Sequence, residues 1–95
     1  MRIERTLQFS KWLDGLKDLH ARAQIQARIA RLANGNPGHS RNLTGGVSEL
    51  KIDAGAGYRV YFTQRGDVLI ILLSGGSKAT QQADIRKAQA MVKQL

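Results

Sequence analysis

Cysteine is absent, proline occurs once, and aromatic residues are sparse: one tryptophan, two tyrosines and two phenylalanines in 95 residues. Without thiols there is neither a disulfide framework nor a thiolate metal site, a pattern that suits a reducing compartment. No apolar run reaches the roughly 18 residues that cross a bilayer. The segment Met1-Arg2-Ile3-Glu4-Arg5 has neither the apolar stretch nor the small-residue cleavage site of a signal peptide. A cytoplasmic chain with no membrane partner is therefore expected. Acidic residues are also scarce, with 7 Asp and Glu against 15 Lys and Arg, a formal net charge of +8. Such a chain should seek polyanions, nucleic acid or the ribosome first, through release of condensed counterions. The two histidines, His20 and His39, have no partnering cysteine or paired carboxylate motif, so no metal and no cofactor is expected.

What is present fits one compact domain spanning residues 1–95, with no internal repeat, linker or low-complexity tract. Ile3 to Phe9 alternates in a strand pattern, and Ser10 is placed to cap a helix carrying the stripe Trp12, Leu13, Leu16 and Leu19. A second helix is expected over Ala21 to Ala33, where Ile25, Ile29 and Leu32 recur at helical spacing. Asn34-Gly35 supplies its left-handed carboxyl cap and Pro37 prevents its continuation. Asn34 to Gly46 reads as a loop. Three strands should follow, Val47 to Ile52, Tyr58 to Gln64 and Val68 to Ser74, joined by turns short enough to make them antiparallel neighbours. The run Val68-Leu69-Ile70-Ile71-Leu72-Leu73 is apolar throughout and belongs inside the sheet, covered on both faces. Thr80 to Leu95 closes the chain as a helix. The expected class is α+β: a mainly antiparallel four-stranded sheet with an N-terminal helical hairpin and a C-terminal helix, in the order βααβββα.

Period-two alternation sorts chemistry onto one surface. Tyr58, Val60 and Phe62 point one way and Arg59, Tyr61 and Thr63 the other, while Glu49 and Lys51 share a face of the preceding strand. A hairpin register could therefore gather Glu49, Lys51, Arg59 and Tyr61 on an exposed surface. RNA can be cut without a metal when a base takes the 2′-hydroxyl proton, cations stabilise the pentavalent phosphorane and an acid protonates the leaving 5′-oxygen. This cluster contains each residue type, although the spacing alone favours a cross-strand ion pair on a solvated sheet face. Gly75-Gly76-Ser77-Lys78 could cradle an anion before the last helix, or could be turn chemistry alone. His39 would enter the chemistry if its loop folded over the sheet, and otherwise is a solvated loop residue. Arg22, Arg28 and Arg31 are either a binding face or a solvated one.

The blocks Phe9-Ser10-Lys11-Trp12-Leu13, Gly46-Val47-Ser48-Glu49-Leu50-Lys51-Ile52, Gly57-Tyr58-Arg59-Val60-Tyr61-Phe62 and Leu72-Leu73-Ser74-Gly75-Gly76-Ser77-Lys78, continuing into Thr80-Gln81-Gln82-Ala83-Asp84-Ile85, resemble the RelE/ParE superfamily of toxins. The resemblance is to its HigB-like branch, also called phage-derived Gp49-like or addiction-module killer proteins. It implies a RelE-like fold with helices on one side of the sheet. It also implies a type II toxin that acts as a ribosome-dependent, metal-independent mRNA endonuclease and inhibits translation and growth. Lys51, Arg59 and Lys78 are its implied catalytic residues, joined by the motif-matched Glu49; the residues themselves offer Tyr61, Arg28, Arg31 and His39 as candidates for substrate binding. Implied partners are the ribosome, mRNA and a cognate antitoxin, a helix-turn-helix DNA-binding protein in an operator-binding hetero-oligomer. Ser77 and Ala56 stand where the branch has Asp and Pro, and no C-terminal tyrosine corresponds to the catalytic one of some relatives. The alternatives are a non-enzymatic DNA gyrase poison of the ParE type and a regulatory module without activity.

Overall fold

The computed structural model describes all 95 residues. It is an α+β arrangement in three layers, set out around a five-stranded sheet in the spatial order β1-β5-β4-β3-β2. The strands are β1 (Arg2–Arg5), β2 (Ser40–Asn42), β3 (Ser48–Ile52), β4 (Tyr58–Arg65) and β5 (Leu69–Gly76); the helices are α1 (Leu7–Asp14), α2 (Leu19–Ala33) and α3 (Gln81–Val92), the last preceded by a short 3₁₀ turn at Lys78–Thr80.

Two features correct the sequence expectation of a four-stranded sheet. The sheet has a fifth strand, β2, taken from the predicted loop and held by antiparallel pairing of Ser40, Arg41 and Asn42 with Leu50, Glu49 and Ser48. The sheet is also mixed, because β1 runs parallel to β5. The helices are not confined to one side either. Phe9 and Leu13 of α1 and Ile25, Ile29 and Leu32 of α2 join Leu50, Ile52, Val60, Phe62, Ile70 and Leu72 in the larger core. On the opposite face Ala88 of α3 packs with Val47, Tyr61 and Leu73. The apolar β5 is thus covered from both sides, as its composition requires.

The boundaries have local causes. β1 is shorter than its alternating pattern suggests because Thr6 starts the helix one turn before Ser10: its hydroxyl accepts from the Phe9 amide at 3.1 Å and donates to the Leu72 and Leu73 carbonyls. Leu7 and Phe9 therefore belong to α1, where Phe9 is fully buried. Asp18 caps α2 through the Ala21 amide. At its other end Gly35, at φ +84°, follows Asn34, and the amides of Gly35 and Asn36 return to the carbonyls of Leu32 and Arg31. Those two bonds make a Schellman cap, which the Asn-Gly pair predicts.

A bulge interrupts the β4–β5 ladder where the pairing steps from Phe62↔Leu72 to Tyr61↔Ser74. The extra residue reorients the end of β5. Beyond it, Gly75 lies directly under the indole ring of Trp12 and Gly76 directly under the Asp84 carboxylate, so that a Cβ at either position would collide. These glycines exist for close approach of α1 and α3 to the strand.

Candidate functional site

The pairing of β3 with β4 sets Glu49 opposite Tyr61 and Lys51 opposite Arg59, the juxtaposition that alternation predicts. Its exposure is not as predicted. Because α3 crosses this face, Glu49, Arg59 and Tyr61 are buried and only Lys51 stays half-exposed. What remains open is a cavity of about 380 Å³ lined by His39, Ser40, Arg41, Glu49, Lys51, Arg59 and Gln81, without a single hydrophobic side chain.

Glu49 is its organising group. One carboxylate oxygen accepts from Arg41 Nε at 2.8 Å, the other from Gln81 Nε2 at 3.0 Å, and Arg59 Nε stands 4.0 Å from the latter. Burial pushes the carboxyl's pKa up, but the hydrogen bonds from Gln81 and Arg41, the charge of Arg41 and the neighbouring Tyr61 hydroxyl together outweigh it and hold the group below its ordinary value. At neutral pH Glu49 is a fixed anion between two arginines. Arg59 donates through Nη1 to the Gly57 carbonyl. Gly57, at φ +73°, leaves room there: a Cβ on it would lie 3.3 Å from Arg59 Nη1 and 3.5 Å from Lys78 Cβ.

Tyr61 is fully buried and does not line the cavity, so it does not touch a ligand there. Its hydroxyl has no partner of full hydrogen-bond geometry, yet it stands close enough to the Glu49 carboxylate for each to shift the other. Burial, then the Glu49 charge, raises the phenol well above its ordinary value near 10. A group whose folded pKa is raised contributes stability below its unfolded value and loses it as pH climbs toward the folded one. Wild-type stability should therefore fall as pH rises above about 10, and Tyr61→Phe should flatten that limb while leaving the neutral fold intact. Thermal melts across this range check it; equally steep alkaline limbs in both proteins would contradict it.

The other predicted residues distribute themselves plainly. The structure brings His39 to the cavity: its own carbonyl accepts from the Lys51 amide and from Arg28, which fixes the loop at the start of β2. Arg28 serves that loop, its guanidinium donating to the carbonyls of Lys51, Pro37 and His39, and burial followed by the charge of Arg31 lowers its pKa. Arg31 stays exposed on α2, outside the cavity lining. Lys78 is exposed on the 3₁₀ turn, beside Gly57 and outside the lining. Arg41 and Gln81 were not predicted. Arg41 sits in a segment whose composition reads as loop, and Gln81 in a resembling motif that assigns it no role.

No grouping of three or more His, Cys, Asp or Glu is close enough to hold a metal ion, and no helix is long and apolar enough to cross a membrane. A cavity walled by three cations and one buried carboxylate suits an anionic ligand, a phosphate above all. The family model described as phage-derived protein Gp49-like matches residues 11–93, a span that contains every residue of this cavity. The chain belongs to the Gp49-like family. That family lies within the RelE/ParE-type toxin group, which makes this Gp49-like chain toxin-like in class. It is also 47% identical over 95 residues to a Haemophilus influenzae protein described as uncharacterized, across all of this chain and 96% of the relative.

Proposed function

We propose that the Gp49-like chain is the toxin of a type II toxin-antitoxin pair, of HigB-like type, and that it cuts ribosome-bound mRNA in the cavity between β2, β3, β4 and α3. The observation that carries the reading is the convergence of Lys51, Arg59, Arg41 and His39 around one opening whose carboxylate is held ionised. In the proposed reaction a base takes the proton of a ribose 2′-hydroxyl, the freed oxygen attacks the adjacent phosphorus, and the bond to the 5′-oxygen breaks as an acid protonates that oxygen. The products are a 2′,3′-cyclic phosphate and a 5′-hydroxyl end. Lys51 and Arg59 offset the charge that builds on the phosphorane, and His39, the one histidine of the lining, suits proton transfer. Glu49, ionised and engaged by Arg41 and Gln81, is a poor acid at neutral pH and orders the cations instead. Lys78 adds charge beside Gly57 from outside the lining. The net charge of +8 favours docking on ribosomal RNA and an acidic antitoxin surface alike.

Purified protein added to a reconstituted translation reaction should generate new mRNA 5′-hydroxyl ends only when ribosomes are present. Growth arrest in cells together with uncut mRNA in that reaction would overturn the endonuclease. DNA-damage signalling in the arrested cells would then point to gyrase.

A further inference from the structure

The cations of the cavity are not equally available. Arg59 is 7% exposed at its side chain, its Nη1 is given to the Gly57 carbonyl, and its Nε is buried without a hydrogen bond, 4.0 Å from Glu49. It is a fixed charge in the floor. Lys51 is half-exposed and reaches toward Asp53 at 4.0 Å. Arg41 differs from both. Its side chain is 57% exposed against 4% for Glu49, and it makes one side-chain hydrogen bond, from Nε to Glu49.

A guanidinium carries five N–H donors in a planar fork. Engaging Nε on one side leaves the edge formed by the two terminal nitrogens free, and that edge matches two oxygens of a phosphate. Glu49 is suited to aim it. It is buried, it sits directly across from Arg41 in the β2–β3 register, and its second oxygen is tied to Gln81 at the start of α3, so the carboxylate is held from both sides of the opening. A free arginine on a three-residue edge strand would sample many rotamers; one hydrogen-bonded to a fixed carboxylate loses less entropy on meeting a ligand.

We propose that Arg41 is a phosphate ligand at the rim of the cavity and that Glu49 is the residue that positions it. This rests on reading the cavity as an RNA-phosphate site, and it assigns the accessible fork to the edge strand, with Arg59 supplying charge from behind.

The test uses the intact chain and a short 2′-O-methyl RNA oligonucleotide, which has no 2′-hydroxyl to react, so that binding is read apart from cleavage. Fluorescence anisotropy across a salt series gives the dependence of log K on log salt. Arg41→Ala should reduce that slope by about 0.7, the value for one phosphate contact to a single strand. Arg65→Ala, which removes an exposed arginine at the far end of β4, should move it by less than about half as much. In a Glu49→Gln background, where the carboxylate charge is gone and the side-chain shape kept, Arg41→Ala should change the slope much less than in the wild type. Trp12 fluorescence melts establish that each variant is folded. Equal slopes for Arg41→Ala and Arg65→Ala would overturn the phosphate contact. An Arg41→Ala effect of the same size in both backgrounds would overturn the positioning role. A wild type that binds through Arg41 yet never cuts ribosome-bound mRNA would leave the ligand assignment standing and remove the endonuclease.

Discussion

Arg59→Ala should lower ribosome-dependent mRNA cleavage by about 100- to 1,000-fold, the cost of removing one preorganised charge from a transition state. The same change removes a buried cation that faces Glu49 at 4.0 Å and the hydrogen bond to the Gly57 carbonyl, so it should also cost stability, about 2 kcal/mol. Arg59→Lys separates the two effects. It keeps the positive charge near the carboxylate and forfeits the planar fork, so it should melt close to the wild type while cleaving at least about ten times more slowly. The readouts are 5′-end mapping at fixed ribosome concentration and the melting temperature from Trp12 fluorescence. Near-wild-type cleavage by a folded Arg59→Ala protein would remove Arg59 from the reaction.

The second large effect belongs to the fold. Gly75→Ala would drive a Cβ into the Trp12 indole, whose atoms belong to a ring packed between Phe9 and Tyr58 at centroid distances of 5.8 and 6.2 Å. Relieving the overlap means moving the half-buried indole against Phe9 or Tyr58, and overpacking of this kind should cost about 3 kcal/mol, a drop of roughly 15 °C in a domain of this size. Trp12→Leu should recover part of the loss in the double variant, because the two sites are in contact and their effects are not additive. Gly76→Ala meets the Asp84 carboxylate, the end of a shorter and more adaptable side chain, and Asp84→Ala should relieve it. An anion cradle predicts something else: Gly75→Ala folded as well as the wild type, with weaker RNA binding. That pair of results would restore the phosphate-loop reading of Gly75-Gly76.

Periodicity carried much of the architecture, and its failures are local. β3, β4 and β5 were legible within two residues because alternating or continuous apolar runs between short turns leave few other solutions. β2 was not, since Ser40-Arg41-Asn42 has no strand preference of its own and owes its conformation to pairing with β3. The apolar residues Leu7 and Phe9 fit a strand and a helix equally, and the hydroxyl of Thr6, with bonds to distant carbonyls, settles the matter in favour of the helix. At the site, alternation placed Glu49, Lys51, Arg59 and Tyr61 together, but it carries no information on which face α3 covers. Burial and the raised Tyr61 phenol follow from that helix, and the ionised state of Glu49 from Gln81 at its start together with Arg41 on β2. Arg41 was hidden for the same reason as its strand, and Gln81 because an amide at the start of a helix is unremarkable until its partner is known.

The parallel union of β1 with β5 has a consequence in time. Thr6 is bonded to carbonyls 66 and 67 residues further along the chain, and the cavity takes residues from His39 to Gln81. Such distant closures are slow steps of folding. At roughly 5–20 residues per second of synthesis, the amino-terminal strand waits seconds for its neighbour, and the charged opening stays unformed until the start of α3 has been made. For a chain proposed to attack translating ribosomes, this ordering means that no partial chain short of Gln81 carries the complete opening.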